Sequence, residues 1–508
     1  MFDFKGLVSA LFINRSLEGV HDYKSATLMM AELPESDILQ AQIEIVKALR
    51  QLNTNADISF KERARAVPYL DEKARVLQRH LVNICEGSIL DDKASPQQVL
   101  PTMLAFWREM GDAYRICIKQ ALQTSARGQE KTLHQFNLRA MTYYGAHAKW
   151  CWLRYLDVEA NAWRNLHKLY LYAEEGGYTD APLAAWDGAP MTDIRGEYLQ
   201  TQMLSLAAPD KLQPRQIETV AHWLARWSGL LQIEKHIRPH HQLFAVNLAG
   251  STLPKRLRRD MVGDNWRYWG TEALVRHMEE VRDQLKQGAN PLALSLPPDA
   301  ATPGNVALLQ QMVNLWSQDV PQPIRKQERR VAEKKISVVR GLDHIAAFLR
   351  GQRPEDGLPL ARWSVENESD GGLALVYRAV DDDKLQVGEV LCVAGFGNKP
   401  FTIGVVRRLN KTREGDVHVG VEALTQTPVA VELTPLPGQR SLTAIYAPDS
   451  LNPNHGRFII VPEAHFAEER EFQLAAQGKA WRIKLTPAIE QNSNAVLTRF
   501  TVLEKVAV

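Results

Sequence analysis

The sequence predicts a multidomain α + β protein: an irregular all-α N-terminal domain, then an antiparallel β-barrel, then further β strands. Three observations carry that reading. The chain has 508 residues, enough for about three domains at roughly 150 residues each. Apolar residues recur at helical spacing up to about residue 235, and from about residue 331 they alternate with period two. Hydrophobic residues make up 45% and charged residues 24%, which excludes wholesale disorder and fibrous repeats.

The helical half is read from its faces and stops. Met103, Trp107, Met110, Tyr114, Cys117 and Ala121 follow steps of three and four, so they share one helix face. Ser95 supplies the cap hydroxyl, Pro96 suits the first helical position, and Gln98 completes a capping box. Ile217, Val220, Leu224 and Trp227 repeat the pattern after Pro214, and residues 149–175 read as one long helix stopping at Gly176 and Gly177. Trp163, His167, Tyr170 and Ala173 resemble tetratricopeptide packing, but no 34-residue period recurs, so an irregular array is expected. Its tryptophans and methionines read as core.

Residues 236–320 are mixed: a strand over 242–249, a helix over 272–287, a Pro-rich loop over 292–304 and a helix over 306–317. Beyond them Trp363 and Val365, then Leu373, Leu375 and Tyr377, then Val419 and Val421 alternate with polar neighbours. A closed barrel of five or six strands is the economical way for such short strands to hide their edges. After Leu424, strands over 442–446, 457–461, 472–475, 481–485 and 497–503 complete a second barrel or cap the first. The expected domains are therefore 1–235, 236–320, 321–425 and 426–508.

Charge and cysteine usage narrow the function classes. Lys plus Arg (61) against Asp plus Glu (59) leaves a net charge of +2, so no global field draws the protein to DNA or an anionic membrane. The cysteines at 85, 117, 151 and 392 form no CxxC pair and no dense disulfide pattern, which suits a reducing cytoplasm. Residues 6–13 follow Asp3 without a basic region or cleavage site, so no signal peptide is expected, and no apolar run reaches the roughly 18 residues of a membrane span.

The chemistry concentrates at the change from helix to strand. Residues 321–340 hold seven basic side chains (Arg325, Lys326, Arg329, Arg330, Lys334, Lys335, Arg340) and two acidic ones (Glu328, Glu333), a local net charge of +5. Arg325 and Arg329 form RxxxR. Further on, Asn367, Ser369 and Gly372 form NxSxxG, opening directly into the strand from Leu373 to Tyr377. Within Ile403 to Arg408, Gly404, Val406 and Arg408 then fit GxVxR, and Gly420, Val421 and Glu422 begin a GVEF-like strand in which Ala423 replaces the aromatic. In this order the motifs resemble the PilZ domain family, over about residues 325–425, with 341–352 inserted as a helix or loop.

The resemblance implies a bacterial cytoplasmic receptor for cyclic di-GMP, with Arg325, Arg329, Arg330, Asn367, Ser369 and Gly372 as its ligand residues, no cofactor and no metal. Motility, adhesion or biofilm control is the family-level expectation. The chemistry fits independently. An arginine fork donates two parallel hydrogen bonds to guanine O6 and N7 or to phosphate oxygens, and its plane stacks on purines. Lysine offers neither. Asn367 and Ser369 supply short polar groups at a turn, and Gly372 permits close backbone approach. A basic arm ordered by ligand would alter the angle between helical domain and barrel, passing occupancy to a protein partner of the helical domain.

Other readings leave specific marks. A PilZ-like barrel without ligand would act as a protein-interaction module. A nucleic-acid binder would use Lys255, Arg256, Arg258 and Arg259 with Trp266, Tyr268 and Trp269 for stacking, although the near-neutral total makes this partner less expected. His236, His240 and His241 crowd around Pro239 but lack a carboxylate motif, so an exposed turn rather than a metal site is expected. Gly395 and Gly397 belong to no phosphate-binding glycine motif, and no catalytic dyad is visible, so no enzyme is expected.

Overall fold

The computed structural model describes residues 19–34, 36–87, 95–124, 128–238, 240–320, 330–379, 384–395, 400–435, 440–452, 455–476, 479–492 and 494–506. Eight helices of the first half are α1 (Tyr23–Ala31), α2 (Ile38–Thr54), α3 (Phe60–Cys85), α4 (Pro96–Gln123), α5 (Glu130–Leu153), α6 (Ala160–Glu175), α7 (Ile194–Leu206) and α8 (Pro214–Trp227). The start of α4 is built as its sequence dictates. The Ser95 amide donates to Gln98 Oε1 at 3.0 Å, Pro96 takes the first position, and Met103, Met110, Tyr114 and Cys117 are fully buried.

Residues 149–175 are not one helix. Between α5 and α6 the chain reverses at Tyr155, which takes a left-handed φ of 58°. The Leu156 amide closes back onto Cys151 O at 2.9 Å. The end of α6 uses the same closure with the expected glycine: Gly177 has φ 71° and the Tyr178 amide reaches Ala173 O at 3.1 Å. A tyrosine in the left-handed position gives no sequence signal, and that hid the first reversal.

A small hairpin of β1 (Leu183–Ala184) and β2 (Met191–Thr192) carries Trp186 between its strands. The indole Nε1 donates to Asp71 Oδ2 at 2.9 Å. Asp71, on α3, is 0% exposed and also accepts from Tyr114 at 2.5 Å and from Tyr143, with Arg75 and Arg139 at 3.7 and 3.6 Å. Burial, then the Asp71 charge, holds both tyrosine hydroxyls well above their ordinary pKa.

The segment after α8 folds as a four-stranded antiparallel sheet in the order β3 (Ile233–Glu234), β6 (Trp266–Trp269), β4 (Phe244–Asn247), β5 (Lys255–Arg256), followed by α9 (Glu272–Lys286) and α10 (Pro303–Trp316). Residues 2–209 and 214–322 form one compact unit. Tyr268 and Trp269 lie in its interior, 2% and 0% exposed, so they offer no stacking face. The Trp269 indole donates to Met203 Sδ at 3.3 Å.

A second unit contains residues 210–213 and 323–508. Its first six strands are β7 (Arg330–Arg340), β8 (Ala361–Ser369), β9 (Gly372–Arg378), β10 (Val390–Ala394), β11 (Phe401–Lys411) and β12 (Asp416–Thr425), closed in the order β10-β11-β12-β9-β8-β7. The insertion after β7 is helix α11 (Leu342–Leu349). β13 (Val429–Pro435), β14 (Leu442–Ala447), β15 (Phe458–Pro462), β16 (Glu471–Ala476), β17 (Lys479–Gln491) and β18 (Ala495–Val506) close a second barrel in the order β13-β14-β15-β18-β17-β16. The extra strand, β13, is bracketed by Pro428 and Pro435, which read as loop.

The two barrels share a core. Ile345 of α11, with Val339, Cys392, Ile403, Val405 and Leu424 of the first barrel, packs continuously with Ile445, Phe458, Ile460 and Leu497 of the second. Each such side chain, fully buried, contributes roughly 1.5–3 kcal/mol. Val431, Leu433, Phe472, Ile483 and Leu485 fill the second barrel itself.

Candidate functional site

The NxSxxG motif is the tip of the β8–β9 hairpin. Ser369 pairs with Gly372 across a two-residue turn of Asp370 and Gly371, and the Ser369 hydroxyl donates to Gly372 O at 3.5 Å. Gly372 cannot be another residue without local rearrangement, because a Cβ there would stand 2.4 Å from Val421 O of β12. The motif's glycine therefore lets the hairpin lie against the last strand of the barrel.

Asn367 lies between two irregular ladders. It is paired with Val331 of β7 and Ala374 of β9, and the register slips beside it on both sides, between Val331 and Lys334 and between Val365 and Asn367. These bulges re-aim side chains. The Asn367 Oδ1 is buried and has no hydrogen-bond partner among the described residues. A buried acceptor without a donor costs about 1–3 kcal/mol, so the position is unsatisfied as it stands.

Cations flank the hairpin. Arg330, expected on a loose arm, is instead the first residue of β7, where the ladder pairs it with Glu368. Its guanidinium lies 3.8 Å from Asp370, with both side chains exposed. Lys334 Nζ stands 2.7 Å from Glu368. Lys334 was not expected at the site; its signal was the match of the basic run at 330–335 to the acidic Glu366, Glu368 and Asp370, which an antiparallel pairing brings side by side. Arg325 and Arg329, with Lys326 and Glu328, lie outside the described residues.

The strand that carries GxVxR, β11, does different work. Gly404 admits β12, since a Cβ would fall 2.9 Å from Glu422 O. Arg407 donates to Glu422 at 2.6 Å and, as a fork, to both oxygens of Glu490 of β17 at 2.5 and 2.7 Å. It thus joins the two barrels. Burial pushes the Glu490 pKa up, but the Arg407 hydrogen bonds and charge more than offset this and hold it below the usual 4.5. In the protein, then, Glu490 contributes stability above its unfolded pKa of about 4.3, lost as pH falls through the folded value. With Arg407→Ala, burial loses its main opponent, leaving only the Asn492 hydrogen bond and the His455 charge against it, and the folded pKa rises. The variant is expected to lose about 1–2 kcal/mol at pH 7, discounted because Arg407 is about a third exposed, and the gap to the parent should shrink on acidification to pH ~5. Urea unfolding at the two pH values checks this; a gap independent of pH would disprove it.

His236, His240 and His241 are exposed, and no group of three metal-type ligands occurs among the described residues. None of the four cysteines is in a disulfide, and burial pushes the thiols of Cys117 and Cys392 up to about 12, which disfavours the thiolate. No described helix is long and apolar enough to cross a membrane.

Comparison with known proteins finds matches in both the helical and the barrel regions. Residues 24–240 match the family described as "Cyclic-di-GMP receptor FimW, N-terminal domain", and residues 351–429 match "Cyclic-di-GMP receptor FimW, middle PilZ domain". The second match spans β8 to β12, including the hairpin and Arg407. The cyclic-di-GMP receptor FimW of Pseudomonas aeruginosa is 21% identical over 91% of this chain and 87% of its own length. Both matches describe a receptor rather than an enzyme. Residues 351–429 therefore match the PilZ domain family, preceded by a helical region that matches the N-terminal domain of FimW and followed by a β extension.

Proposed function

We propose that the protein is a bacterial cytoplasmic receptor for cyclic di-GMP that binds its ligand where β7 meets the β8–β9 hairpin and signals to a protein partner through its helical domain. Arg325, Arg329 and Arg330 hold phosphates and guanines, Asn367 and Ser369 hydrogen-bond a guanine edge, and Gly372 fixes the hairpin. The observation that carries this is the unpartnered Asn367 Oδ1. Guanine presents N–H donors on its Watson–Crick edge, and a buried acceptor lacking a donor matches them. The name of the FimW receptor supports the same ligand.

Isothermal calorimetry of the full chain with cyclic di-GMP is expected to show saturable binding. Asn367→Ala with Ser369→Ala should weaken it about 10- to 100-fold at roughly 0.5–1.5 kcal/mol per hydrogen bond, while circular dichroism shows the empty variant still folded. Absence of binding heat, or an affinity unmoved by the double variant, would defeat the proposal. One observation favours a ligand-free interaction module instead: Arg330 and Lys334 already face carboxylates. The calorimetry separates the two readings. Capture of a partner by the full chain, compared with and without cyclic di-GMP, tests the signalling step.

A further inference from the structure

The ladder of the first barrel sorts its side chains between two faces. Leu373 and Leu375 of β9 are 4% and 0% exposed and point into the core, so Ala374 between them lies on the outer face. Partners across a ladder share a face. The outer row through Ala374 therefore runs Val331 of β7, Asn367 of β8, Ala374 of β9 and Gly420 of β12. Ala374 and Gly420 leave this row low on one side of Asn367, and Gly372 does the same two residues nearer the hairpin tip. Val331 stands on the other side. It is 83% exposed, the most open large apolar side chain among the described residues, with Val76 next at 70%.

We propose that Val331 is the apolar wall against which the guanine read by Asn367 lies, and so a further ligand residue of the cyclic di-GMP site. This rests on the receptor reading above. A lone exposed valine needs no explanation in itself. This one is the ladder partner of the residue whose Oδ1 is buried and unpartnered, and the Cβ atoms of such partners stand about 4.5–5.5 Å apart.

That placement answers the second need of a bound base. Its edge wants polar partners, and its face wants an aromatic or apolar surface in place of water. Asn367 meets the first need, and of the four side chains in the row only Val331 has the apolar bulk to meet the second. A β-branched side chain in a strand is held in few rotamers, so little freedom is lost when a base settles on it. The contact works by apolar burial and dispersion. It therefore differs from the arginines in being indifferent to screening by salt.

The test is calorimetry of the full chain with cyclic di-GMP at about 50 and about 300 mM salt. Val331→Ala takes two methyl groups off the wall and should weaken binding about fivefold to fifteenfold, by the same factor at both salt concentrations. Val331→Thr keeps the branched shape but not the apolar surface and should also weaken binding, whereas Val331→Ile should bind at least as well as the parent. Since Val331 is exposed, circular dichroism of each variant should match the parent. Both positions hold one base, so when Asn367→Ala is already present, Val331→Ala should cost at most about twofold more. A parent that binds while Val331→Ala stays within about twofold of it overturns the inference and leaves the receptor reading standing. Losses at the two positions that multiply independently overturn it as well, because something other than a shared base, such as the basic arm, then covers Val331. A parent that binds no cyclic di-GMP defeats the receptor reading, and the inference falls with it.

Discussion

Replacing Arg325 and Arg329 together by alanine is expected to weaken cyclic di-GMP binding by about a hundredfold to ten-thousandfold. Hydrogen bonds to charged groups contribute about 1.5–3 kcal/mol each, so losing one strong interaction per arginine costs about 3–6 kcal/mol, and each 1.4 kcal/mol is a factor of ten. The double lysine variant refines the argument. Lysine keeps the charge but loses the planar fork and the stacking plane, so Arg325→Lys with Arg329→Lys should recover the salt-dependent share of affinity and little more. Calorimetry at two salt concentrations reads both. A double alanine variant within threefold of the parent would remove the arm from the site. A lysine variant equal to the parent would show that charge alone suffices.

How far the sequence reached depends on the range of the interaction involved. The start of α4 was legible because Ser95, Pro96 and Gln98 act on one another within a single turn. The reversal at Tyr155 was not, because its closure from Leu156 to Cys151 uses backbone groups that any residue carries. The same divide runs through the site. NxSxxG was visible as a pattern, yet the need for Gly372 comes from Val421, some fifty residues later, and the unsatisfied state of Asn367 comes from register slips on both its neighbours. Arg407 was read as part of a strand motif. Its strongest partner, Glu490, lies in the other barrel, where no local pattern points to it. Arg330 illustrates the opposite error: read as part of a basic arm, it is the first residue of a strand, with acidic residues of β8 opposite.

Asp71→Ala is expected to destabilise the helical unit by about 3–5 kcal/mol. The carboxylate is 0% exposed and accepts from Tyr114, Tyr143 and Trp186 while facing Arg75 and Arg139. Removing it strands two buried hydroxyls and a half-buried indole and leaves two guanidinium groups without their shared anion, and breaking a buried pair at one partner is the costly case. Asp71→Asn keeps one acceptor and the volume but not the charge, so it should recover part of the loss. Trp186 makes the experiment readable: its indole stacks beneath Arg75 at 4.7 Å and is held by Asp71, so its emission should shift on substitution before the chain unfolds. The unfolding curve matters as much as its midpoint. Because residues 2–209 and 214–322 form a unit separate from the barrels, the variant should unfold in two steps, with the earlier one displaced and the later one in place. Cyclic di-GMP added in excess should then raise the later step alone, since a ligand stabilises the unit that binds it. A single displaced transition would mean that helices and barrels fold as one cooperative body, and a signal from ligand to partner would pass through a rigid molecule rather than a change of angle between two.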